Sequence, residues 1–155
     1  MTARRIWLGL LLIIAVGVFA ERFPQAYQAL FAITGDALDW RLRKLSSSTM
    51  TNCGRVGLNE DPSRSTQCVI EANHEGNPFR VRYDMRGKDS DVARGLVRLP
   101  SGAVIELGFD GNPTGSGGTL PFRQVVFERK CPTSEPIVID KHGRASCVSP
   151  SEEVR

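Results

Sequence analysis

The sequence has few of the residues on which common catalytic sites depend. It contains two histidines, His74 and His142, and neither belongs to a recognisable motif. Acid–base activation of a nucleophile needs a histidine within reach, and histidines at a predicted helix end or in a turn are commonly solvated. We therefore assign no catalytic residue, no metal ligand and no cofactor from the sequence.

Most of the chain also has no net charge. The net charge is +3, but six of the 20 Lys and Arg and three of the 17 Asp and Glu lie in residues 1–51. Fourteen of each sign are left in residues 52–155. Because nucleic-acid binding depends on a basic surface, this balance indicates no nucleic-acid partner.

Phosphate-binding motifs are absent as well. Gly111–Gly118 (GNPTGSGG) is rich in glycine, yet it lacks the P-loop lysine and the G-x-G-x-x-G pattern. No helix start follows it to supply an anion-binding terminus. The segment therefore predicts a hairpin loop rather than a phosphate cradle.

One apolar run stands out near the N-terminus. Ile6–Ala20 is fifteen residues long without a charge, and Arg4 and Arg5 precede it. This order of charge and hydropathy is typical of an export segment. As a helix the run covers about 22 Å, short of the roughly 30 Å hydrocarbon core, so it spans only with help from its flanks.

The same run predicts either a retained anchor or a cleaved signal. Val18 and Ala20 fit cleavage before Glu21, whereas the missing polar spacer and the position of Trp7 favour an anchor. We favour the anchor, which would place the protein in the inner membrane with its C-terminal domain in the periplasm. Cleavage after Ala20 would release it into the periplasm. A buried core helix of a cytosolic protein is the third alternative.

The composition divides the chain into five segments. The short polar run SSSTMTN at 46–52 is typical of a linker, and the segment before it has helical periodicity with a break at Gly35. The predicted segments are a signal or anchor at 1–22, a helical stalk at 23–45, a linker at 46–52, a domain at 53–148 and a flexible tail at 149–155.

The second half of the stalk has a possible membrane-facing side. Leu38, Leu42 and Leu45 form its apolar stripe. Trp40 lies among basic side chains, which suits contact with anionic lipid headgroups; packing on the protein's own domain is the alternative. The basic side chains are Arg41, Arg43 and Lys44.

The domain has the pattern of an α+β fold. Pro62–Glu75 is predicted as a helix, because Pro62 follows the capping Asp61 and Gly76 lies just beyond its end. The period then changes to two, which predicts one helix packed on a four- to five-stranded antiparallel meander. The predicted strands are Phe79–Met85, Asp91–Leu99, Ala103–Phe109 and Pro121–Arg129, followed by a closing hairpin over residues 137–148.

The four cysteines predict two disulfides. An even count in a small exported domain favours bridges, and a zinc site, the competing interpretation, would need a close pair such as C-x-x-C. We favour Cys53–Cys68 and Cys131–Cys147, each of which would close a short loop. The nested pairing of Cys53 with Cys147 and Cys68 with Cys131 is the alternative.

Alternation in the first two strands predicts an arginine-rich sheet surface. Arg80, Arg82 and Arg86 would point away from the core, near Arg94 or Arg98 of the neighbouring strand. Five arginines on one face could bind a carboxylate, a phosphate or a partner protein. The alternative is an ordinary solvated face, on which nearby carboxylates pair with the arginines.

Two functions follow from these features. The favoured one is a non-catalytic binding or accessory module, anchored in or exported to the bacterial envelope, for another envelope protein or an anionic ligand. The alternative is a small extracytoplasmic hydrolase that uses the acidic cluster Asp84, Asp89 and Asp91. Turn-forming acids are the ordinary explanation of that cluster.

Overall fold

The computed structural model describes residues 35–112, 124–132 and 137–147. Contacts divide the chain into two compact units, Met1–Asp36 and Ala37–Arg155, and every element below belongs to the second. The predicted signal or anchor, most of the stalk, most of the glycine-rich loop and the C-terminal tail lie outside the described residues.

The described part of the chain is α+β, as the sequence predicts. It contains two helices, a five-stranded sheet and a separate two-stranded hairpin. The elements are α1 (Ala37–Leu45), β1 (Thr51–Val56), α2 (Ser63–His74), β2 (Phe79–Arg86), β3 (Asp91–Arg98), β4 (Val104–Asp110), β5 (Val125–Lys130), β6 (Val138–Ile139) and β7 (Ala145–Ser146).

The five-stranded sheet is mixed rather than purely antiparallel, so that part of the prediction is wrong. Its order is β1-β2-β3-β4-β5, and β2 to β5 form the expected antiparallel meander. β1, however, runs parallel to β2, with Thr51 opposite Phe79. The reason is the crossover through α2, because a connection of this kind returns the chain to the end of the sheet from which it left.

The sequence pattern did not reveal β1, which straddles the end of the predicted linker. Gly54 interrupts the strand at a φ of +91°, and the pairing register shifts between Asn52 and Arg55. A bulge of this kind breaks the alternation by which a strand is recognised. The domain therefore begins before Cys53.

One core lies between the sheet and α2. Val69 and Ala72 of the helix are buried against Phe79, Val81 and Leu96. The helix begins at Ser63, one residue after the predicted start, and the Asp61 carboxylate accepts hydrogen bonds from the backbone and side chain of Ser63. The β6–β7 hairpin contributes Ala145 to the same core.

A second core lies on the opposite face, under α1. Leu38 and Leu42 are buried against the sheet, together with Val97, Ile105 and Leu107. Burial of each leucine contributes about 1.5–3 kcal/mol. The segment 37–45, assigned from sequence to a stalk, is thus part of the domain and covers the face that alternation had left to water.

Gly95 allows α1 to approach the sheet closely. A Cβ at this position would lie 3.0 Å from Leu42 Cδ2 and 3.3 Å from Leu38 Cδ1. The register of β3 is regular on both sides of Gly95, so no bulge occurs there. The close approach at Gly95 is made by side chains of α1 rather than by its backbone.

Two disulfides join segments that the meander alone leaves separate. Cys53 bonds to Cys68, which ties β1 to α2, and Cys131 bonds to Cys147, which ties the end of β5 to the hairpin. These are the pairs that the sequence favoured, and not the nested ones. Neither helix within the described residues has the length and apolar character needed to cross a bilayer.

Candidate functional site

The candidate site is a basic groove between α1 and the first two strands. It has a volume of about 210 Å³. Its charged lining residues are Arg43 and Asp39 of α1, Arg55 of β1, and Arg80 and Arg82 of β2. Strand alternation presents Arg80 and Arg82 to α1, because the intervening Val81 points into the α2 core.

Arg82 is the most enclosed of these arginines, with 4% of its surface exposed. Its Nε atom lies 2.7 Å from Asp84 Oδ1 and its Nη1 atom 2.9 Å from Asp39 Oδ1. The guanidinium also lies over the Phe109 ring, 5.8 Å from the centroid. A buried charge persists only when it is paired in this way, so Arg82 ties α1 to the sheet.

Arg55 completes an ion-pair quartet with Arg82, Asp39 and Asp84. Its Nε atom lies 2.6 Å from Asp84 Oδ2, and its Nη1 atom lies 3.5 Å from Asp39 Oδ2. Two arginines and two carboxylates therefore neutralise one another at the floor of the groove. Because Arg55 and Arg82 are paired with these carboxylates, they contribute little attraction for an anionic ligand.

Arg80 differs from its neighbours because it has no carboxylate partner within the described chain. Its Nη1 atom donates a hydrogen bond to Ser46 Oγ at 3.2 Å, and the side chain is only half-buried. Arg43 lines the same groove from α1. The quartet is neutral by itself, so it does not balance the charge of Arg80.

The predicted face of five arginines does not exist as one surface. Arg80, Arg82 and Arg86 share the α1 face of the sheet, whereas Arg94 lies opposite Tyr83 and Arg98 lies opposite Phe79 on the α2 face. The register of β3 places its two arginines directly opposite residues of β2 that belong to the α2 core. The α1 face is also covered by a helix, and Arg86 is exposed at the end of β2.

Arg94 belongs to a second polar network, under the hairpin. Its Nη1 atom lies 3.4 Å from Asp140 Oδ2, and its Nε atom lies 3.6 Å from Glu106 Oε1. Glu106 Oε2 in turn accepts hydrogen bonds from Ser146 Oγ and from the Cys147 backbone N–H, both at 2.9 Å. These contacts hold β7 against the sheet. The charges of Arg94 and Glu106 are thus paired within the protein.

Asp140 organises the turn between β6 and β7. Its Oδ1 atom accepts hydrogen bonds from the backbone N–H groups of His142 and Arg144, and its Oδ2 atom lies 3.1 Å from Arg144 Nε. Burial works to raise the pKa of Asp140, but the hydrogen bonds and the Arg144 guanidinium outweigh it and hold the pKa below its ordinary value. The carboxylate is therefore ionised and structural.

Tyr83 links the same hairpin to α2. Thr66 Oγ1 lies 2.7 Å from the Gly143 carbonyl, to which it donates, and 3.0 Å from Tyr83 Oη. Because the threonine proton is committed to the carbonyl, the tyrosine hydroxyl must donate to Thr66. Burial raises the pKa of the Tyr83 phenol, which keeps it neutral as a donor.

Arg98, the last of the predicted arginines, lies beside α2. Its Nη1 atom donates to Asn73 Oδ1 at 2.9 Å. Its Nε atom is buried without a hydrogen-bond partner within the described residues. Arg98 is separated from Arg80 by the thickness of the sheet, so the two cannot grip one ligand.

The three acids of the hydrolase hypothesis do not form a separate centre. Asp84 is held by Arg55 and Arg82, which removes its carboxylate oxygens from the role of a general base. Asp89 is exposed in the β2–β3 turn, and Asp91 is the exposed first residue of β3. Within residues 35–112, 124–132 and 137–147, no group of three or more potential ligands could hold a metal ion.

An apolar depression of about 430 Å³ lies on the α2 face, at the far end of the strands. Met85, Val92 and Phe127 contribute its apolar surface. The Phe127 ring lies directly over Gly108, where a Cβ would come within 2.0 Å of the ring. Glycine is therefore required at position 108 for this ring position.

Sequence reasoning missed Asp39, Arg43 and Arg55 as parts of the site. One signal was available: β3 carries apolar residues on both faces, including Leu96 and Val97, a pattern typical of a strand covered on both sides. That pattern calls for a second layer, and the leucine stripe of 37–45 was the segment able to supply it.

No protein-family model matches the chain, and neither the curated proteins nor the solved structures include one with significant similarity to it.

Proposed function

We propose that this protein is a membrane-tethered, non-catalytic module of the bacterial envelope that binds an anionic group in the groove between α1 and β2. The observation that supports the proposal is Arg80: it is half-buried in a groove and has no carboxylate partner within the described chain. The anionic group would belong to a small ligand or to an acidic segment of another envelope protein.

The chemistry of arginine favours this class of ligand. A guanidinium presents its N–H donors in a planar fork that matches a carboxylate or a phosphate, and partial burial strengthens the attraction by excluding water. Arg43 approaches the same space from α1, so an anion could contact both elements.

The tether is the second part of the proposal. The uncharged Ile6–Ala20 run behind Arg4 and Arg5 would form a hydrophobic N-terminal helix that anchors the chain in the inner membrane. The two disulfides support a location outside the cytoplasm, because such bonds persist in oxidising compartments. The domain would therefore face the periplasm.

Substitution of Arg80 tests the binding site. The full chain in detergent is titrated with inorganic phosphate and with succinate, and the backbone amide of Gly54, which lines the groove, is followed by NMR. We expect Arg80→Ala to weaken binding about fivefold or more, and Arg80→Lys to recover part of it, because lysine keeps the charge but loses the fork.

Arg86→Ala is the matched control. Arg86 lies on the same strand and face but is exposed at the end of β2, outside the groove. Its substitution should change the affinity by less than about twofold. Equal affinities of the wild type and Arg80→Ala would refute the site.

A reporter fusion tests the location. Alkaline phosphatase joined after Arg155 is active only where its disulfides form, so we expect activity in intact cells. A fusion that stays inactive although the protein accumulates would place the domain in the cytoplasm and refute the tether.

A further inference from the structure

The outer face of α1 is unusually apolar for a solvent-exposed surface. Trp40 is 62% exposed, the largest exposed fraction among the bulky apolar side chains that the structure describes. A shallow depression of about 640 Å³ surrounds it, with Ala37 and Val126 on its walls. Since Leu38 and Leu42 already secure the helix to the sheet, Trp40 is not needed for that packing.

Basic side chains border this apolar surface. Arg43 and Lys44 are exposed in the last turn of α1 and line the depression beside Trp40. Arg41 forms an ion pair with Glu128 of β5 and so contributes no net charge. Asp39 points inward to Arg82. The carboxylate of α1 is thus directed to the protein, whereas the side chains of Arg43 and Lys44 are exposed on the outer face.

Tryptophan next to lysine and arginine is the combination found where proteins meet a lipid surface. The indole ring is apolar with one polar N–H, which suits the boundary between headgroups and acyl chains. Long basic side chains can bury their stems while their charges stay at the headgroups. Each cation near an anionic leaflet adds attraction.

The covalent tether makes such contact favourable. Residues 21–36 join the apolar run Ile6–Ala20 to α1, and even fully extended they cannot carry α1 more than about 60 Å from the end of that run. Confinement of this kind raises the effective concentration of the bilayer surface around Trp40. This step depends on the anchor proposed above.

We propose that the outer face of α1, which carries Trp40, Arg43 and Lys44, docks on the anionic surface of the bilayer that holds residues 6–20. The domain is then held against the membrane on one side, rather than moving freely at the end of its tether. Arg43 belongs to both this face and the basic groove, so the groove opens next to the lipid surface.

The test measures the fluorescence of Trp40, which reports whether this side chain is in contact with lipid. The full chain carrying Trp7→Phe, in which Trp40 is the remaining tryptophan, is reconstituted into phosphatidylcholine vesicles with and without phosphatidylglycerol. We expect the fluorescence of Trp40 to shift to shorter wavelength, to be quenched by brominated lipid and to be protected from quenching by acrylamide. Each effect should be larger in the vesicles that contain phosphatidylglycerol.

Charge removal gives the decisive comparison. Arg43→Gln with Lys44→Gln should lower the ratio of docked to undocked protein about tenfold or more in anionic vesicles. The control is Lys88→Gln with Lys141→Gln, which removes two exposed lysines from the β2–β3 and β6–β7 turns and should leave the ratio unchanged. All four sites are exposed, and circular dichroism checks that the fold is kept.

The outcomes separate this proposal from the tether. A chain that fails to float with vesicles overturns the tether and the docking together. A chain that floats while acrylamide quenches Trp40 equally in vesicles and in detergent overturns the docking alone. Protection that appears only after membrane proteins are added would make the face a protein interface, and would also overturn it.

Discussion

At the scale of single residues, burial distinguishes arginines that a sequence cannot tell apart. Arg80 and Arg82 are two positions apart on the same face of β2, yet Arg82 is enclosed by Asp39, Asp84 and Phe109 whereas Arg80 opens to the groove. The difference arises because α1 directs Asp39 to Arg82, whereas Arg80 lies next to Ser46, just beyond the end of that helix. Their substitution should therefore affect the stability of the domain to different extents.

Arg82→Ala should lower the free energy of unfolding of the domain. It leaves Asp39 and Asp84 close together with Arg55 as their shared partner, and breaking a buried ion pair costs about 3–5 kcal/mol. Urea denaturation should show this loss as a lower midpoint. Arg80→Ala is the control and should change the free energy of unfolding by less than about 1 kcal/mol. Equal stabilities of the two variants would contradict the quartet.

Asp140 should make the stability of the protein depend on acid pH. Its pKa is lower in the folded protein than in the unfolded chain, where it is about 3.9. The folded state therefore gains stability above that value and loses it as the pH falls through the folded pKa. Asp140→Asn removes this contribution.

The measurement compares urea midpoints of the wild type and Asp140→Asn between pH 6 and pH 3. Wild-type stability should fall more steeply below about pH 4, so that the difference between the two proteins shrinks as the pH is lowered. A difference that is constant with pH would mean that the Asp140 carboxylate is not linked to folding.

At the scale of elements, α1 is positioned by one glycine and two leucines. Gly95 provides the space into which Leu38 and Leu42 fit. An amphipathic helix of nine residues is marginal alone in water, so α1 depends on this contact for its structure. The groove and the outer face of α1 both depend on it in turn.

Gly95→Val should push α1 away from the sheet. Overpacking of this kind costs about 1–3 kcal/mol. Leu42→Ala added to Gly95→Val should restore part of that loss by making room for the valine, although Leu42→Ala alone is destabilising. A double-mutant cycle on unfolding free energies measures the coupling. Simple additivity of the two changes would show that the helix does not rest on Gly95.

At the scale of the whole molecule, the disulfides determine how the ends of the domain are held. Cys131–Cys147 carries the hairpin that also contacts Glu106 through Ser146, and Cys53–Cys68 joins the edge strand β1 to its helix. Both close loops of similar length, with separations of 15 and 16 residues. The Cys131–Cys147 bond adds a covalent constraint to the polar contacts that hold the hairpin.

Replacement of Cys131 and Cys147 by serine should lower the free energy of unfolding by about 3 kcal/mol. It should also increase hydrogen exchange in β6 and β7, while β2 and β3 stay protected. Peptide mass mapping under non-reducing conditions checks the pairing first. Peptides that link Cys53 to Cys147 would reveal the nested arrangement and contradict both expectations.

Much of the fold and part of the site follow from local patterns. The alternation in Phe79–Met85, the capped helix that follows Asp61 and the cysteine spacing predict β2, α2 and the observed disulfides, because period, cap and loop length are properties of short segments. β1 was missed because Gly54 breaks its alternation. Of the predicted arginine site, Arg80 alone stays available in the groove.

The sequence by itself determined which side chains share a face of each strand, since alternation follows from the backbone of one strand. The tertiary structure alone decided which faces meet water. Alternation cannot show that α1 covers the other face of β3 and β4 and directs Asp39 to Arg82, or that the β2–β3 register places Arg94 opposite Tyr83. Both depend on contacts between residues distant in sequence, and those contacts bury Arg82 while they leave Arg80 half-buried in the groove and Trp40 exposed.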